Sequence, residues 1–190
     1  MDDSKHHDSI RQYVNDMIGV ERDIANALRG QLDDDRVQAH ADLAALLVRC
    51  AAEGEARLAR LKALSQEEGG ELGAAIKEGV TAITGTLAGF YGKLREHPLS
   101  RMLRDDIVAL DVCAVSYSML HTLGLAAGHG GCAILAEEGL RSCPPLVIAL
   151  TELLPLIVAE EIAADAPLAN PAAAQVALAT LREAWHVPRG

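Results

Sequence analysis

Three acidic side chains lie at positions where they could meet inside a bundle of helices. Glu21 lies on the apolar stripe of the first helical segment, so its carboxylate is expected to point inward. Glu53 and Asp111 fall on the second and third segments, and inward-facing carboxylates bind iron or manganese in some helical bundles. The competing interpretation is that Glu21 is a buried carboxylate, either protonated or paired with an arginine such as Arg57.

Histidines are scarce at the positions that such a metal site would need. A dinuclear carboxylate site takes a Glu-x-x-His pair from each of two helices, because residues three apart on a helix point the same way. The one such sequence is Glu183–His186, in the last turn of the final segment, where two ligands do not make a site. His121 lies among leucines and is expected to bond to a backbone carbonyl. His6 and His7 are expected to be solvated.

No catalytic motif emerges from the chain. It has no nucleophile elbow, no phosphate-binding loop with a lysine and no dinucleotide-binding glycine pattern. The glycine-rich Gly128–Gly131 segment has no strand before it, so we interpret it as a tight turn between helices. The cysteines lack Cys-x-x-Cys spacing and are expected to be buried thiols. The sequence therefore favours a protein that is not an enzyme and holds no cofactor. The cysteines are Cys50, Cys113, Cys132 and Cys143.

The composition narrows the fold class and the partners. Of the 190 residues, 50% are hydrophobic by type and 3% are aromatic, a balance that favours an all-helical protein. The 17 basic and 27 acidic side chains give a formal charge of −10, which argues against nucleic acid as a partner. No apolar stretch that could serve as a signal peptide follows the polar amino terminus, so a cytoplasmic location is expected.

Apolar residues at three- and four-residue spacing predict four long helices in a single domain, 1–190. The capping-box sequence Ser9–Gln12 predicts the start of the first helix, and Asp33–Asp35 are expected to cap the second. Cys143–Pro145 predicts a kink or restart in the fourth. The predicted long helices cover about 9–29, 36–64, 98–127 and 132–164, with a glycine-rich connecting helix at about 71–95 and a terminal helix at about 171–186.

The lengths of the connections predict how the helices are arranged. Short links join the first helix to the second and the third to the fourth, whereas about thirty residues separate the second from the third. Two antiparallel hairpins joined by one long crossover would make the second and third long helices run in the same direction. Among four-helix bundles, this is the ferritin-like arrangement.

The third and fourth predicted helices also resemble a known family. The runs Leu103–Asp106, Ser116–Ala126, Pro145–Val147 and Leu153–Pro155 are similar to helices of bacterial ferritin-like proteins of the YciE/YciF type. The resemblance covers residues 9–164 and implies a small cytoplasmic helical bundle linked to stress responses. Because no histidine follows the candidate carboxylates at the third position, the resemblance does not carry a di-iron centre over to this chain.

Two segments, 107–127 and 144–159, are apolar nearly all round. A helix that is apolar on every face must be covered on every face. Prolines and Glu152 argue against a membrane span, and a twofold homodimer through the faces of the third and fourth long helices explains the pattern better. His121 and Glu152 are predicted, with Glu21, to be buried polar side chains.

These observations predict an all-α, ferritin-like four-helix bundle with one long crossover and an added C-terminal helix. Its predicted role is non-catalytic and stress-related, exerted by binding a partner or a small apolar ligand. The alternative is a protein that holds iron or manganese in an incomplete carboxylate site formed by Glu21, Glu53 and Asp111.

Overall fold

The computed structural model describes residues 3–69 and 98–185. Within these two ranges every regular element is a helix and no strand occurs, so the predicted all-α class is confirmed. The predicted connecting helix at 71–95 lies outside the described residues, as does His186. The described helices are α1 (Asp3–Leu32), α2 (Asp35–Gln38), α3 (Ala41–Glu67), α4 (Leu99–Ala126), α5 (Gly130–Asp165) and α6 (Ala173–Trp185).

The first helix begins at Asp3, so the predicted start near Ser9 is wrong. Ser9 lies inside α1, where its Oγ donates to the carbonyl of Lys5 at 3.0 Å instead of capping the helix. The polar residues that precede Ser9 extend α1 across the end of α3, and there His7 contacts Glu68 at 2.8 Å. A tertiary contact therefore lengthens the helix beyond its local start signal.

The predicted helix of residues 36–64 is divided in two. Asp34 caps α2, since its Oδ1 accepts the backbone N–H of Arg36 at 2.9 Å, as expected for this aspartate cluster. The chain leaves the helical conformation at His40, whose backbone is extended, and α3 follows. Val37 is completely buried, so the short α2 adds to the core between α1 and α3.

The fourth long helix is continuous through its prolines, so of the predicted kink or restart at Cys143–Pro145 the restart does not occur. A proline inside a helix lacks the N–H that would bond four residues back. Pro144 and Pro145 are exposed, whereas Cys143 and Leu146 on either side of them are completely buried. Burial of the inner face therefore keeps this segment of α5 helical despite the missing hydrogen bonds.

The helices α1, α3, α4 and α5 form a four-helix bundle around one apolar core. α1 lies antiparallel to both α3 and α4. Near the start of α1, His7 contacts Glu68 just past the end of α3. Near the other end of α1, Gln31 donates to Asp106, which lies close to the start of α4, at 2.9 Å.

α3 also lies antiparallel to α5. Glu68 contacts His129, which immediately precedes α5, while His40, before α3, contacts Glu160 near the end of α5. Because α3 and α4 are both antiparallel to α1, they run in the same direction, which agrees with the direction predicted from the connection lengths. The two described residues that flank 70–97 consequently lie at opposite ends of the bundle.

α4 and α5 approach each other closely at two glycines. A Cβ atom on Gly139 would lie 2.5 Å from the ring of Tyr117, and one on Gly124 would lie 2.7 Å from the backbone nitrogen of Ala133. Both separations are shorter than van der Waals contact, so only glycine allows these approaches. The space at Gly139 lets the completely buried Tyr117 ring extend into the centre of the bundle.

Within the described residues, α4 is the one helix that is long and apolar enough to cross a membrane, judged by length and composition alone. Leu103, Leu110 and Leu120 on its inner face are completely buried against the rest of the bundle. A helix buried in the core of a bundle meets the same criteria of length and composition.

The terminal helix α6 packs against α5. In the turn just before α6, Asn170 Oδ1 accepts the backbone N–H of Ala172 at 3.0 Å. The helix itself begins at Ala173, two residues beyond the predicted start at 171. Arg182 on α6 donates to Glu152 on α5 at 2.7 Å, an exposed contact between the terminal helix and the bundle.

Candidate functional site

A buried ion pair occupies the centre of the bundle. Glu21 on α1 is 0% exposed, and the Arg57 side chain on α3 is 3% exposed. The Nε of Arg57 donates to Glu21 Oε1 at 2.5 Å, and its Nη2 donates to Oε2 at 3.2 Å. Both carboxylate oxygens thus accept from one guanidinium, the two-pronged geometry that makes such pairs strong. The predicted burial of Glu21 and its predicted pairing with Arg57 are confirmed.

The other two long helices, α4 and α5, provide further hydrogen bonds to this ion pair. From α4, the Tyr117 hydroxyl donates to Glu21 Oε1 at 2.9 Å and the Cys113 thiol donates to the same oxygen at 3.1 Å. From α5, Ser142 accepts from Arg57 Nη1 at 3.1 Å. We call Glu21, Arg57, Cys113, Tyr117 and Ser142 the central network, and each long helix contributes to it.

The electrostatics of the central network favour a cation at Arg57 and neutral partners around the carboxylate. Burial alone would lower the pKa of Arg57, but hydrogen bonding and charge interaction with Glu21 together hold that pKa above its ordinary value. Burial and the nearby charge of Glu21 raise the pKa of Tyr117. The hydrogen bond with Cys143 and burial raise the pKa of Cys113. Both groups therefore keep the protons that they donate to Glu21.

The residues proposed as metal ligands do not form a site for iron or manganese. Glu21 already carries a guanidinium on both oxygens. Glu53 lies towards the surface of α3, where it accepts from Arg49 at 2.8 Å, and Asp111 is exposed on α4. The pKa of Asp111 is raised by partial burial. Since the three carboxylates face different surroundings, the arrangement does not fit a dinuclear metal centre.

The two remaining predicted polar sites are only partly buried. His121 bonds through Nδ1 to the carbonyl of Ala133 at 2.8 Å, so the predicted carbonyl partner is confirmed. Its side chain and that of Glu152 nevertheless retain solvent contact, so the predicted burial is wrong for both. Glu152 is turned towards α6, where the hydrogen bond from Arg182 lowers the pKa of this carboxyl. Contact with α6 thus explains why Glu152, a charged residue, occurs within the apolar sequence of α5.

The structure also joins three residues at one end of the bundle. His7 Nδ1 lies 2.8 Å from Glu68 Oε2, and His129 Nε2 lies 2.7 Å from Glu68 Oε1. We call these three residues the end cluster. Their nearest ligand atoms all lie within 4.8 Å of one another. Hydrogen bonds from His129 and His7 lower the pKa of Glu68, so Glu68 is a carboxylate at neutral pH.

His129 has a second role as the N-cap of α5. Its Nδ1 accepts the backbone N–H of Cys132 at 3.1 Å. An N-cap of this kind is worth about 1 kcal/mol. Because Nδ1 is an acceptor here, a neutral His129 carries its proton on Nε2 and donates it to Glu68.

Sequence reasoning did not find the end cluster. His7 was expected to be solvated, and the Gly128–Gly131 segment was interpreted only as a turn. The turn is at Gly128, which has a positive φ of 67°, whereas Gly130 and Gly131 begin α5. The usable signal is topological: in this bundle the start of α1, the end of α3 and the start of α5 meet at one end. Polar side chains near those three helix ends are therefore neighbours despite their separation in the chain.

A small groove lies between α1 and α4, with a cavity volume of about 230 Å³. Tyr13, Met17 and Met119 provide its apolar lining, and Asp16 lies at the same groove. Burial raises the pKa of Asp16. The groove is on the outside of the bundle and is separate from the central network.

Comparison of the chain with protein-family models, with curated proteins and with solved structures finds no match. The features of this chain that bear on its function are the central network, the end cluster and the outer surfaces of the helices.

Proposed function

We propose that this chain is a ferritin-like helical bundle that acts without catalysis, by binding a partner protein, with an internal ion pair where related bundles hold metal. The central network supports this proposal most directly, because the Arg57 guanidinium neutralises the inward carboxylate of Glu21. The common direction of α3 and α4 supports the ferritin-like arrangement with one long crossover. The stress-related role implied by the resemblance stays a prediction.

The partner that we propose is a second copy of the chain, bound through α4 and α5. These helices expose large apolar side chains, and Leu125 is 63% exposed. Apolar side chains at the centre of an interface lose water when two copies associate, and twofold association is the commonest form of homo-oligomer. The exposed large apolar residues of the two helices are Val115, Met119, Leu125, Ile134, Ile148, Val158 and Ile162.

A small apolar ligand is the alternative occupant in this proposal. The groove lined by Tyr13, Met17 and Met119 is the place where we expect such a ligand, since it combines apolar walls with the polar groups of Asp16 and Ser116.

Metal analysis tests whether the centre of the bundle is free of bound iron and manganese. The untagged full-length chain would be purified and its iron and manganese measured per chain by mass spectrometry. We expect much less than one ion per chain in the wild type and in Glu21→Gln. Glu53→Gln serves as a surface control. Glu68→Gln identifies any metal that is bound at the end cluster and not at the bundle centre, since only that metal would be lost in this variant. One iron or manganese per chain that is lost only in Glu21→Gln would contradict the proposal.

Sedimentation velocity tests the proposed homodimer. We expect the wild type to sediment as a dimer, and Leu125→Asp and Val115→Asp to sediment as monomers, because each places a charge on the proposed interface. Val48 on α3 is exposed to a similar extent, at 55%, so Val48→Asp is the matched control and should remain dimeric. A monomeric wild type, or a dimer that only Val48→Asp disrupts, would contradict this interface.

A further inference from the structure

We propose that the end cluster, His7, Glu68 and His129, binds a divalent transition-metal ion of the Zn²⁺ type. Two imidazole nitrogens and one carboxylate oxygen lie within 4.8 Å of one another, and two His and one Glu form a known protein ligand set for Zn²⁺, with a fourth position left for water. The site shares no residue with the central network or with the exposed apolar residues of the proposed dimer interface.

The chemistry of the three ligands selects among metal ions. Imidazole nitrogen favours Zn²⁺ and its first-row neighbours, whereas Mg²⁺ and Ca²⁺ prefer sites built entirely from oxygen. Glu68 contributes the negative charge that a cation needs, and its side chain is only 13% exposed. His7 is 51% exposed, so an ion can reach the cluster from solvent on that side.

Three separate elements hold the ligands. His7 is on α1, Glu68 follows α3 and His129 precedes α5, and the carboxylate already contacts both rings. A metal ion would take the place of the two protons that now lie between Glu68 and the imidazoles. The ion would therefore join α1, α3 and α5 at one end of the bundle and stabilise the folded chain.

Metal binding requires both rings to change tautomer. The two nitrogens nearest Glu68, Nδ1 of His7 and Nε2 of His129, carry protons when they donate to the carboxylate. For neutral rings, each proton moves through solvent to the other nitrogen of the same ring, so no net proton is released. A ring that carries a second proton also releases that proton when its nitrogen binds the metal.

The tautomer change at His129 has a structural consequence. A proton on Nδ1 faces the backbone N–H of Cys132, so the N-cap bond of α5 is lost when the metal binds. Loss of one cap lowers the affinity by about fivefold. That penalty is small compared with the tenfold or larger effects usual for groups around a metal, so the cap weakens the site without abolishing it.

Calorimetric titration of the full-length chain with Zn²⁺ alone tests the proposal. We expect one ion per chain, with at least about tenfold weaker binding in His7→Ala, Glu68→Gln and His129→Ala. His40 and Glu160 form a comparable pair, 3.2 Å apart, at the opposite end of the bundle. His40→Ala is therefore the matched control and should bind Zn²⁺ like the wild type, and Mg²⁺ should give no binding.

Nuclear magnetic resonance of the histidine rings supplies a second readout that does not depend on affinity. Saturation with Zn²⁺ should move the His129 proton from Nε2 to Nδ1, and the thermal midpoint of the wild type should rise. Either of two results would overturn the proposal: no Zn²⁺ binding by the wild type, or Zn²⁺ binding of equal affinity in the wild type and in all three end-cluster variants. Glu68→Gln keeps the size of the side chain and so guards against loss of binding through misfolding.

Discussion

A carboxylate and a guanidinium lie together in the core at Glu21 and Arg57, and the energetics of such a pair are asymmetric. Removing two charges from water costs several kcal/mol per ion, and their attraction offsets this cost only when geometry and further hydrogen bonds are favourable. Here Tyr117, Cys113 and Ser142 provide those further bonds. The intact pair therefore contributes little to the net free energy of unfolding, whereas removal of one member alone lowers that free energy strongly.

Replacement of Arg57 alone should destabilise the protein strongly. Arg57→Met leaves Glu21 buried without its counter-charge, so we expect the free energy of unfolding to fall by about 3–5 kcal/mol. Urea denaturation followed by circular dichroism at pH 7 measures the loss.

Two further variants make this test specific. Arg60 lies on the same helix in an exposed pair with Glu138, so Arg60→Met should change the stability by less than about 1 kcal/mol. The double variant Glu21→Gln with Arg57→Met removes both charges and should regain much of the lost stability. Equal destabilisation by Arg57→Met and Arg60→Met would show that the central pair is not an energetically coupled unit.

Residue-scale prediction succeeded where a side chain's direction follows from its own helix. Glu21 lies on an apolar stripe, which predicted its burial, and the need for compensation predicted a partner such as Arg57. Glu53 was misplaced because a carboxylate near the edge of an apolar stripe can turn to a neighbour on its own helix, here Arg49. The shared contact of His7 and His129 with Glu68 depends on tertiary structure, which no local spacing reports.

At the scale of helices, the closest packing occurs between α4 and α5. Gly139 gives the ring of Tyr117 the room to reach Glu21, so a glycine that weakens its own helix serves the contact between two helices. Such a glycine costs about 1 kcal/mol in helix propensity relative to alanine. Packing at this crossing must therefore outweigh the propensity cost.

Replacement of Gly139 by alanine tests whether helix packing or helix propensity has the larger effect on stability at this position. Its new Cβ would lie 2.5 Å from the Tyr117 ring, so we expect Gly139→Ala to lower the free energy of unfolding by about 1–3 kcal/mol in spite of its better helix propensity. Thermal and urea denaturation measure the change.

Gly30 supplies the matched control, because it is also helical but a Cβ there would meet no atom within 4 Å. Gly30→Ala should leave stability unchanged or raise it by up to about 1 kcal/mol. If Gly139→Ala were as stable as Gly30→Ala, the close approach of α4 and α5 would be incorrect.

Helix existence was easier to predict than helix ends. The apolar periodicity gave all four long helices, but the capping box at Ser9 did not mark the start of α1, since contact with α3 lengthens that helix. Pro144 and Pro145 are strong local signals against a helix, and burial on the opposite face of α5 outweighed them. In each case a tertiary interaction overrode a local preference.

At the scale of the whole molecule, one feature determines the topology. α3 and α4 run in the same direction, so the chain leaves α3 at one end of the bundle and enters α4 at the other. The connection lengths were sufficient to predict this, because about thirty residues are enough to return along a helix of this length, whereas a short link is not. Short links join the helices of the two antiparallel hairpins, α1 with α3 and α4 with α5.

Distances between spin labels should report this topology directly. Labels at Glu67→Cys, near the end of α3, and Arg101→Cys, near the start of α4, should be about 40 Å apart, since α3 has 27 residues and a helix rises about 1.5 Å per residue. The control pair, Glu67→Cys with Gly130→Cys, should be less than about 20 Å apart because neighbouring helices are separated by about 10 Å. The four native cysteines are buried, so the labels should attach at the introduced sites. The distances would be measured by pulsed electron paramagnetic resonance. Labelled chains would be diluted into unlabelled protein so that distances between two copies are not detected. A short distance for the first pair would make α3 and α4 antiparallel and would contradict both the single long crossover and the ferritin-like arrangement.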